Sequence, residues 1–218
     1  MTAMAERTDH QADFLATAET AVQLLRHPAV AAAWAQPSAL PKLDVAGLAG
    51  HLAYQILVLP QILAAPLPTE PTVPLLGHYE RALWVDADLD ADINVRIRDG
   101  GTKLGAQGAA NLADQVEEAL RELALLLPAA QNRPVRIPWW GAWSLTTEDF
   151  LTTRVMELAV HGDDLAVSVG VDTPSLPPGA AATVVDLLAR LAVRRHGPTN
   201  VIRALSRAER APETIAAF

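Results

Sequence analysis

A long apolar segment that contains a glutamate and a histidine limits most strongly what this chain can fold into. Residues 152–170 carry apolar side chains at helical spacing, and no Pro or Gly interrupts them before Gly162. Glu157 and His161 are four residues apart in this segment, so a helix places both side chains on one face, one turn apart. Burying a carboxylate and an imidazole there is costly unless they have a partner, and a metal ion is one such partner.

Three other segments show the same helical spacing of apolar residues. They are residues 9–26, 43–65 and 105–127, and the last has the clearest amphipathic pattern. Ala and Leu dominate the composition, which also favours helices. With the segment described above, these regions predict four long helices and therefore an all-α bundle.

The remainder of the chain is predicted to be a helical appendage to this bundle. Residues 180–195 are strongly apolar and predict a fifth helix, and residues 201–210 predict a short final one. The expected organisation is a four-helix bundle over residues 1–170 followed by a short helical C-terminal extension over residues 171–218.

Local signals predict where the long helices begin and bend. Asp44 is the expected N-cap of the second helix. Thr146 followed by Asp149 resembles a capping box at the start of the fourth helix. Pro60 is expected to kink or end the second helix, because proline removes a helical hydrogen bond.

The middle of the chain gives weaker signals. A Pro-rich loop is predicted at 66–77, and a short helix at 78–85. In residues 86–101, apolar and polar residues alternate as in a strand, but acidic residues crowd the start and Gly100 and Gly101 form a turn at the end. An extended loop is therefore predicted for this region.

Charge and residue usage exclude several classes of function. The 218 residues carry a formal net charge of -8, which disfavours nucleic acid and anionic membrane surfaces as partners. The polar N-terminus has no apolar signal core, and no apolar run approaches a membrane span of about 20 residues. We therefore expect a soluble, cytoplasmic protein. Because the chain has no cysteine, any thiol chemistry requires a thiol from outside.

A third candidate ligand lies in the second predicted helix. His51, Glu157 and His161 together offer two nitrogen ligands and one carboxylate, which matches a catalytic zinc set with an open fourth position. A bundle can bring the second helix beside the fourth with both faces inward. Spacing alone leaves the alternative open, because an E-x-x-x-H pair on a helix is more often an ordinary surface or core pair.

Two segments of the chain resemble the mycothiol-dependent maleylpyruvate isomerase family, a member of the DinB-like bundle superfamily. They are AGLAGHLAYQ at 46–55 and LTTRVMELAVHGDDLAVSVG at 151–170. The PWW segment at 138–140 and the last 25 residues are similar to actinobacterial members. The resemblance implies a DinB-like four-helix bundle that binds a divalent metal, usually zinc, through His51, Glu157 and His161.

The resemblance also implies a thiol cofactor, mycothiol, and a small electrophilic substrate. A zinc ion with an open site lowers the pKa of a bound thiol, and the thiolate would then support transfer to the electrophile or cis-trans isomerisation. The maleylpyruvate isomerase itself has a larger α+β domain after the bundle, whereas about 48 residues with helical patterns follow Gly170 here. The resemblance therefore supports the fold and the metal more than the named reaction.

Two other functions remain open from the sequence. A bound water in place of a thiol would make the protein a zinc hydrolase. A bundle that holds a metal and a small ligand without turnover would be a regulatory binding module. With any of these functions, the protein is expected to be a monomer or a homodimer.

Four neighbours of the candidate ligands are predicted to line the pocket or to orient the ligands. Asp164 could accept a hydrogen bond from a ligand imidazole, and Arg154 could steer an acidic group. Gln55 lies on the face of His51, and Trp140 belongs to an aromatic cluster that could border the pocket mouth. Each residue also has an ordinary structural alternative. Asp164 and Arg154 could form intrahelical ion pairs, Gln55 could be an amide at the edge of the core, and Trp140 could close the end of the bundle. The other histidines, His78 included, are predicted to be non-ligands.

Overall fold

The computed structural model describes residues 9–218, and helices dominate this part of the chain. The helices are α1 (His10–Leu25), α2 (Pro28–Ala32), α3 (Val45–Leu57), α4 (Leu59–Ala64), α5 (Leu75–Tyr79), α6 (Asp92–Gly105), α7 (Ala109–Leu126), α8 (Thr147–Val169), α9 (Pro178–His196) and α10 (Pro198–Ser206). Strands β1 (Pro134–Val135) and β2 (Leu145–Thr146) form one short antiparallel ladder. The predicted all-α class is confirmed.

A four-helix bundle of α1, α3, α7 and α8 forms the centre of the molecule. α8 packs against α1 on one side and α3 on the other, and α7 packs against the same two helices. The core between them is made of fully buried apolar side chains, among them Phe14, Leu52, Val116, Leu123 and Phe150. Because α8 lies beside α3, side chains of the second and fourth long helices can meet inside the bundle.

The predicted caps and the predicted break are present. The Asp44 carboxylate accepts a hydrogen bond from the backbone N–H of Gly47 at 2.7 Å, and the Thr146 hydroxyl accepts one from Asp149 at 3.0 Å. The long second helix divides into α3 and α4 at Val58, and Pro60 lies in the first turn of α4. These local signals depend on a few neighbouring residues, which is why the sequence predicts them well.

The extended loop predicted for residues 86–101 is wrong, because most of this region belongs to α6. Its two consecutive glycines do not form a turn. A Cβ on Gly101 would lie 2.5 Å from the Gly47 carbonyl oxygen, and one on Gly105 would lie 2.2 Å from that of Ala46. The glycines therefore let the backbones of α6 and α3 approach closely, and this packing outweighs their poor helix propensity.

Smaller differences concern helix ends and the connectors. The short helix predicted at 78–85 is found earlier, at α5, and α7 begins at Ala109, just after Gly108 with its positive φ of 86°. The connector before α8 contains β1 and β2, which pair Pro134 with Thr146. A two-residue strand has too few residues to show a period in the sequence.

The C-terminal segment packs onto the bundle. α9 contacts α8 and α1, and α10 packs against α9. The chain then returns to α5 and the turn that follows it, where the Phe218 ring lies 6.0 Å from Tyr79 of α5 and 5.0 Å from Trp84 of the turn, between ring centroids. Both predicted helices are present, although the last ends at Ser206 rather than residue 210. The domain boundary at residue 170 stays a prediction.

One segment of the described chain corrects the expectation about membrane spans. Val45–Ala64 is long and apolar enough to cross a membrane by length and composition alone. In the structure this segment is α3 and α4, and 61% of its most apolar window is buried inside the protein. A core helix of a soluble protein has the same properties, so this segment is weak evidence for a membrane span.

Candidate metal centre

The bundle brings the three predicted ligands together. His51 extends from α3, and Glu157 and His161 extend from α8, with one ligand atom of each lying within 4.8 Å of the other two. The Glu157 Oε2 atom is 3.2 Å from His161 Nε2 and 3.6 Å from His51 Nε2. The two imidazole rings meet edge to face with centroids 4.6 Å apart. The predicted convergence of these side chains is therefore present, while their role as ligands stays a prediction.

The separations of the two histidine nitrogens from Glu157 Oε2 fit a small divalent ion. Zinc binds nitrogen and oxygen ligands at about 2.0–2.2 Å, and tetrahedral geometry then separates two ligand atoms by roughly 3.3–3.6 Å. The observed separations of 3.2 and 3.6 Å lie close to that range. The three side chains are 14–19% exposed, so the group is largely shielded but still open to a small reactant.

The charges of the group suit a cation. Burial alone would raise the pKa of Glu157, but the hydrogen bond from His161, the contact with His51 and the positive charge of Arg154 hold it well below its ordinary value. Glu157 is therefore a carboxylate at neutral pH. Burial lowers the pKa of His51, which keeps this imidazole neutral, the form that binds a metal.

Asp164 orients the second histidine. Its Oδ2 atom is 2.9 Å from His161 Nδ1, three residues away on α8. Burial alone would lower the pKa of His161, but the hydrogen bonds with Asp164 and Glu157 raise it to about 9. At neutral pH His161 therefore carries a proton on each ring nitrogen, with Nδ1 directed to Asp164 and Nε2 to Glu157, and a metal ion at Nε2 would displace the second proton. A carboxylate behind a metal-binding histidine is a common arrangement in zinc sites.

Gln55 and Arg154 form a second polar pair next to His51. The Arg154 side chain is 6% exposed, and its Nη1 donates to Gln55 Oε1 while its Nε donates to Thr153 Oγ1 at 3.1 Å. The Gln55 Nε2 atom donates to the His51 carbonyl oxygen at 3.0 Å and lies 3.3 Å from His51 Nε2. Both predicted neighbours of the site are thus close to His51.

The tautomer of His51 follows from this pair. A guanidinium has only donors, so Gln55 must turn its oxygen towards Arg154 and its amide N–H groups towards His51. His51 Nε2 then accepts this hydrogen bond with its one lone pair and has no proton to offer to Glu157 Oε2, 3.6 Å away. Two acceptors that face each other inside a protein favour a cation between them, which supports the fit to a metal ion.

Trp140 lies in an aromatic group that the sequence only partly predicted. Its ring packs 4.4 Å from His78 and 5.6 Å from Phe150 between centroids. Trp143 donates from Nε1 to His78 Nδ1 at 3.1 Å. Because Phe150 also packs under the Arg154 guanidinium, at 5.2 Å, Trp140 is connected to the site through Phe150.

Two residues of α5 near this group were missed as possible neighbours of the site. His78 is 3% exposed, and burial together with the Arg154 charge lowers its pKa to about 4. Tyr79 is 1% exposed, and its hydroxyl has no hydrogen-bond partner among residues 9–218. No spacing or motif in this short helix signals such burial, so only tertiary structure could reveal it.

A surface depression lies away from the candidate metal centre. It measures about 480 Å³ and lies between the end of α1 and the loop after α8, with Gln23, His27 and Asp172 among its lining residues. None of the three candidate ligands lines it. This depression therefore does not enter the chemistry of the candidate metal centre.

Comparison with known proteins supports the resemblance seen in the sequence. The sequence profile of the mycothiol maleylpyruvate isomerase N-terminal domain matches residues 15–166, a range that includes all three candidate ligands. No curated protein and no solved structure matches the chain. Since the profile covers well over half of the chain, the protein belongs to the mycothiol maleylpyruvate isomerase N-terminal domain family.

Proposed function

We propose that this protein is a metal-dependent enzyme that activates a low-molecular-weight thiol, such as mycothiol, for transfer to a small electrophile or for its isomerisation. Zinc is the first candidate for the metal, with His51, Glu157 and His161 as its ligands. The observation that carries the proposal is the convergence of these three side chains within 4.8 Å. Membership of the mycothiol maleylpyruvate isomerase family supports the choice of thiol.

A divalent ion at this centre would supply one function, which is to lower the pKa of a bound thiol so that its thiolate forms near neutral pH. The protein side chains do the rest. Glu157 would contribute negative charge that retains the ion, and Asp164 would keep the Nδ1 proton of His161 so that Nε2 faces the ion. The chain has no cysteine, so the thiol must come from solution, and the partial exposure of the centre limits the reactants to small molecules.

The charge of the chain supports the same kind of partner. A formal net charge of -8 disfavours nucleic acid and anionic membranes, so the proposed partners are a small thiol and a small electrophile. We place the protein in the cytoplasm, where such thiols are kept reduced. A monomer or a homodimer would both serve this function.

A thiol-transfer assay tests the proposal. The zinc-loaded protein is incubated with mycothiol and 1-chloro-2,4-dinitrobenzene, a chromogenic electrophile, and the rate is measured with and without EDTA. We expect a thiol-dependent rate that is lost on chelation and in His51→Ala. The control is His27→Ala, which removes an exposed histidine at the start of α2 and should retain the rate.

Other outcomes would favour other functions. Hydrolysis of 4-nitrophenyl acetate in the absence of thiol, lost on chelation, would favour a zinc hydrolase. Stoichiometric metal binding without turnover of either probe would favour a binding module. If His51→Ala kept both its metal and its activity, the proposed ligand set would be contradicted.

A further inference from the structure

The Gln55 side chain presents a hydrogen-bond donor to the candidate metal centre. Gln55 is 1% exposed and lies one turn after His51 on α3. One of its two amide N–H groups is directed to the His51 carbonyl oxygen, at 3.0 Å. The other is directed to His51 Nε2, at 3.3 Å. That nitrogen is also the atom that faces Glu157.

The buried Arg154 fixes this orientation. Its Nη1 group donates to Gln55 Oε1, and its Nε group donates to Thr153 Oγ1. Thr153 is itself buried and donates to the Phe150 carbonyl oxygen at 2.7 Å. A flip of the Gln55 amide would set its N–H groups against a guanidinium, which can only donate. The amide therefore keeps its nitrogen towards the metal centre.

Metal binding would deprive one Gln55 N–H group of its acceptor. The lone pair of His51 Nε2 accepts that hydrogen bond in the structure, and the same lone pair would bind the ion. A buried donor without an acceptor is costly, so it favours any acceptor that arrives nearby. An anionic sulfur or oxygen atom in the open position beside His51 is such an acceptor, and a bond to it is charge-assisted.

We propose that Gln55 donates a hydrogen bond to the anionic atom that binds in the open position of the metal centre, and that Arg154 is the positioning residue that directs this donor. This inference rests on the proposed metal centre and deepens it. It makes Gln55 a determinant of ligand class, because a thiolate or an oxyanion accepts the bond, whereas a neutral nitrogen ligand has no lone pair left for it.

Ligand binding to the cobalt-loaded protein tests the assignment without an activity measurement. The visible spectrum of bound Co²⁺ is titrated with azide as the anionic probe, with 2-mercaptoethanol as the thiol probe and with imidazole as the neutral probe. We expect Gln55→Leu to lower the affinity for azide and for 2-mercaptoethanol by about tenfold to a hundredfold, which is the range expected when a charge-assisted hydrogen bond is lost. Imidazole and Co²⁺ itself should bind within about threefold of the wild type.

The control is the same substitution at a second glutamine. Gln11 lies on α1, where its amide donates to the Ala130 carbonyl oxygen at 3.2 Å, and Gln11→Leu should leave all three affinities unchanged. Arg154→Met should lower the affinity for azide and 2-mercaptoethanol as much as Gln55→Leu does. The double variant should show no further loss of affinity, because both changes remove the same directed donor. Arg154→Lys retains a donor for Gln55 and should restore most of the anion affinity. If Arg154→Met does not fold, Arg154→Lys still tests the positioning role of Arg154.

The possible failures are distinguishable. A wild-type protein that binds no Co²⁺ would overturn both the metal centre and the role of Gln55. A protein that binds Co²⁺ but shows equal losses for azide and imidazole in Gln55→Leu would overturn the role of Gln55 alone. Additive losses in the double variant would overturn the positioning role of Arg154.

Discussion

Two adjacent carboxylates on α8 differ in what they contact, and this difference predicts different roles. Asp164 lies 2.9 Å from His161 Nδ1, whereas Asp163 is exposed and accepts a hydrogen bond from Thr173 at 2.5 Å. We expect Asp164→Asn to lower zinc affinity by about tenfold to a hundredfold, as is typical when the group behind a histidine ligand is changed. Competition with a chromogenic chelator measures this affinity.

Asp163→Asn is the matched control, since it makes the same change one residue earlier. Its zinc affinity should stay within about threefold of the wild type, because Asp163 is not hydrogen-bonded to a candidate ligand. Equal losses in the two variants would show that overall charge, rather than the orientation of His161, determines affinity.

His78 makes the stability of the protein sensitive to acid. Its pKa is lowered to about 4 by burial and by the Arg154 charge, below the value of 6.5 expected in the unfolded chain. Between these values the unfolded state binds more protons, so the free energy of unfolding falls as the pH falls from about 6.5 to 4. The loss amounts to at most about 3–4 kcal/mol for a shift of this size.

Urea unfolding at pH 7 and at pH 4.5 measures this effect. His78→Gln keeps an acceptor for the Trp143 N–H group but cannot titrate, so it should lose less stability between the two pH values than the wild type does. The same substitution at the exposed His27 should behave as the wild type. An unchanged acid sensitivity in His78→Gln would assign the effect to other groups.

At the scale of single residues, the sequence predicted the candidate centre better than its surroundings. Residue type, helical spacing and family resemblance indicate His51, Glu157 and His161, and the fold brings them together. The direction of the Gln55 amide and the burial of His78 depend on contacts with Arg154 and Trp143, which are far away in the sequence. Such contacts leave no local pattern.

At the scale of elements, the contact between α3 and α6 has a testable requirement for glycine. Gly100 and Gly101 are adjacent in α6, but a Cβ on Gly100 meets nothing within 4 Å, whereas one on Gly101 lies 2.5 Å from the Gly47 carbonyl oxygen. We expect Gly101→Ala to destabilise the fold by about 1–3 kcal/mol, as overpacking does. Gly100→Ala should be neutral or stabilise by up to about 1 kcal/mol, because alanine is the better helix former.

Chemical denaturation of both variants measures the difference. Similar stabilities for the two would contradict the close packing of α6 on α3.

The same glycines explain why the sequence predicted a loop here. A pair of glycines usually ends a helix, and only the backbone of α3 reveals why they are placed inside one. By contrast, α7 and α8 were predicted well, because their apolar spacing is long and regular.

At the scale of the whole molecule, the candidate centre joins two helices that are distant in the sequence. An ion bound by His51 of α3 and by Glu157 and His161 of α8 would stabilise the folded state relative to the unfolded one. At a free zinc concentration 100 times the Kd, the gain is about 2.7 kcal/mol, which raises the Tm by roughly 5–10 °C for a chain of this size.

Thermal unfolding before and after removal of zinc measures this gain. The Tm should fall on treatment with EDTA in the wild type and stay unchanged in His51→Ala. An equal fall of the Tm in the variant would mean that the ion stabilises the protein from another place.

The fold class was predictable at this scale because it rests on long helical patterns. The return of the C-terminal chain to α5 was not, because it rests on the ring contacts of Phe218 with residues distant in the sequence.

The most direct test of the central claim is anomalous X-ray diffraction at the zinc edge from crystals grown with one equivalent of zinc. One strong peak is expected within about 2.0–2.2 Å of His51 Nε2, a Glu157 carboxylate oxygen and His161 Nε2. The peak should disappear in crystals of His51→Ala. A peak bound by other residues, or its persistence in that variant, would contradict the proposed centre.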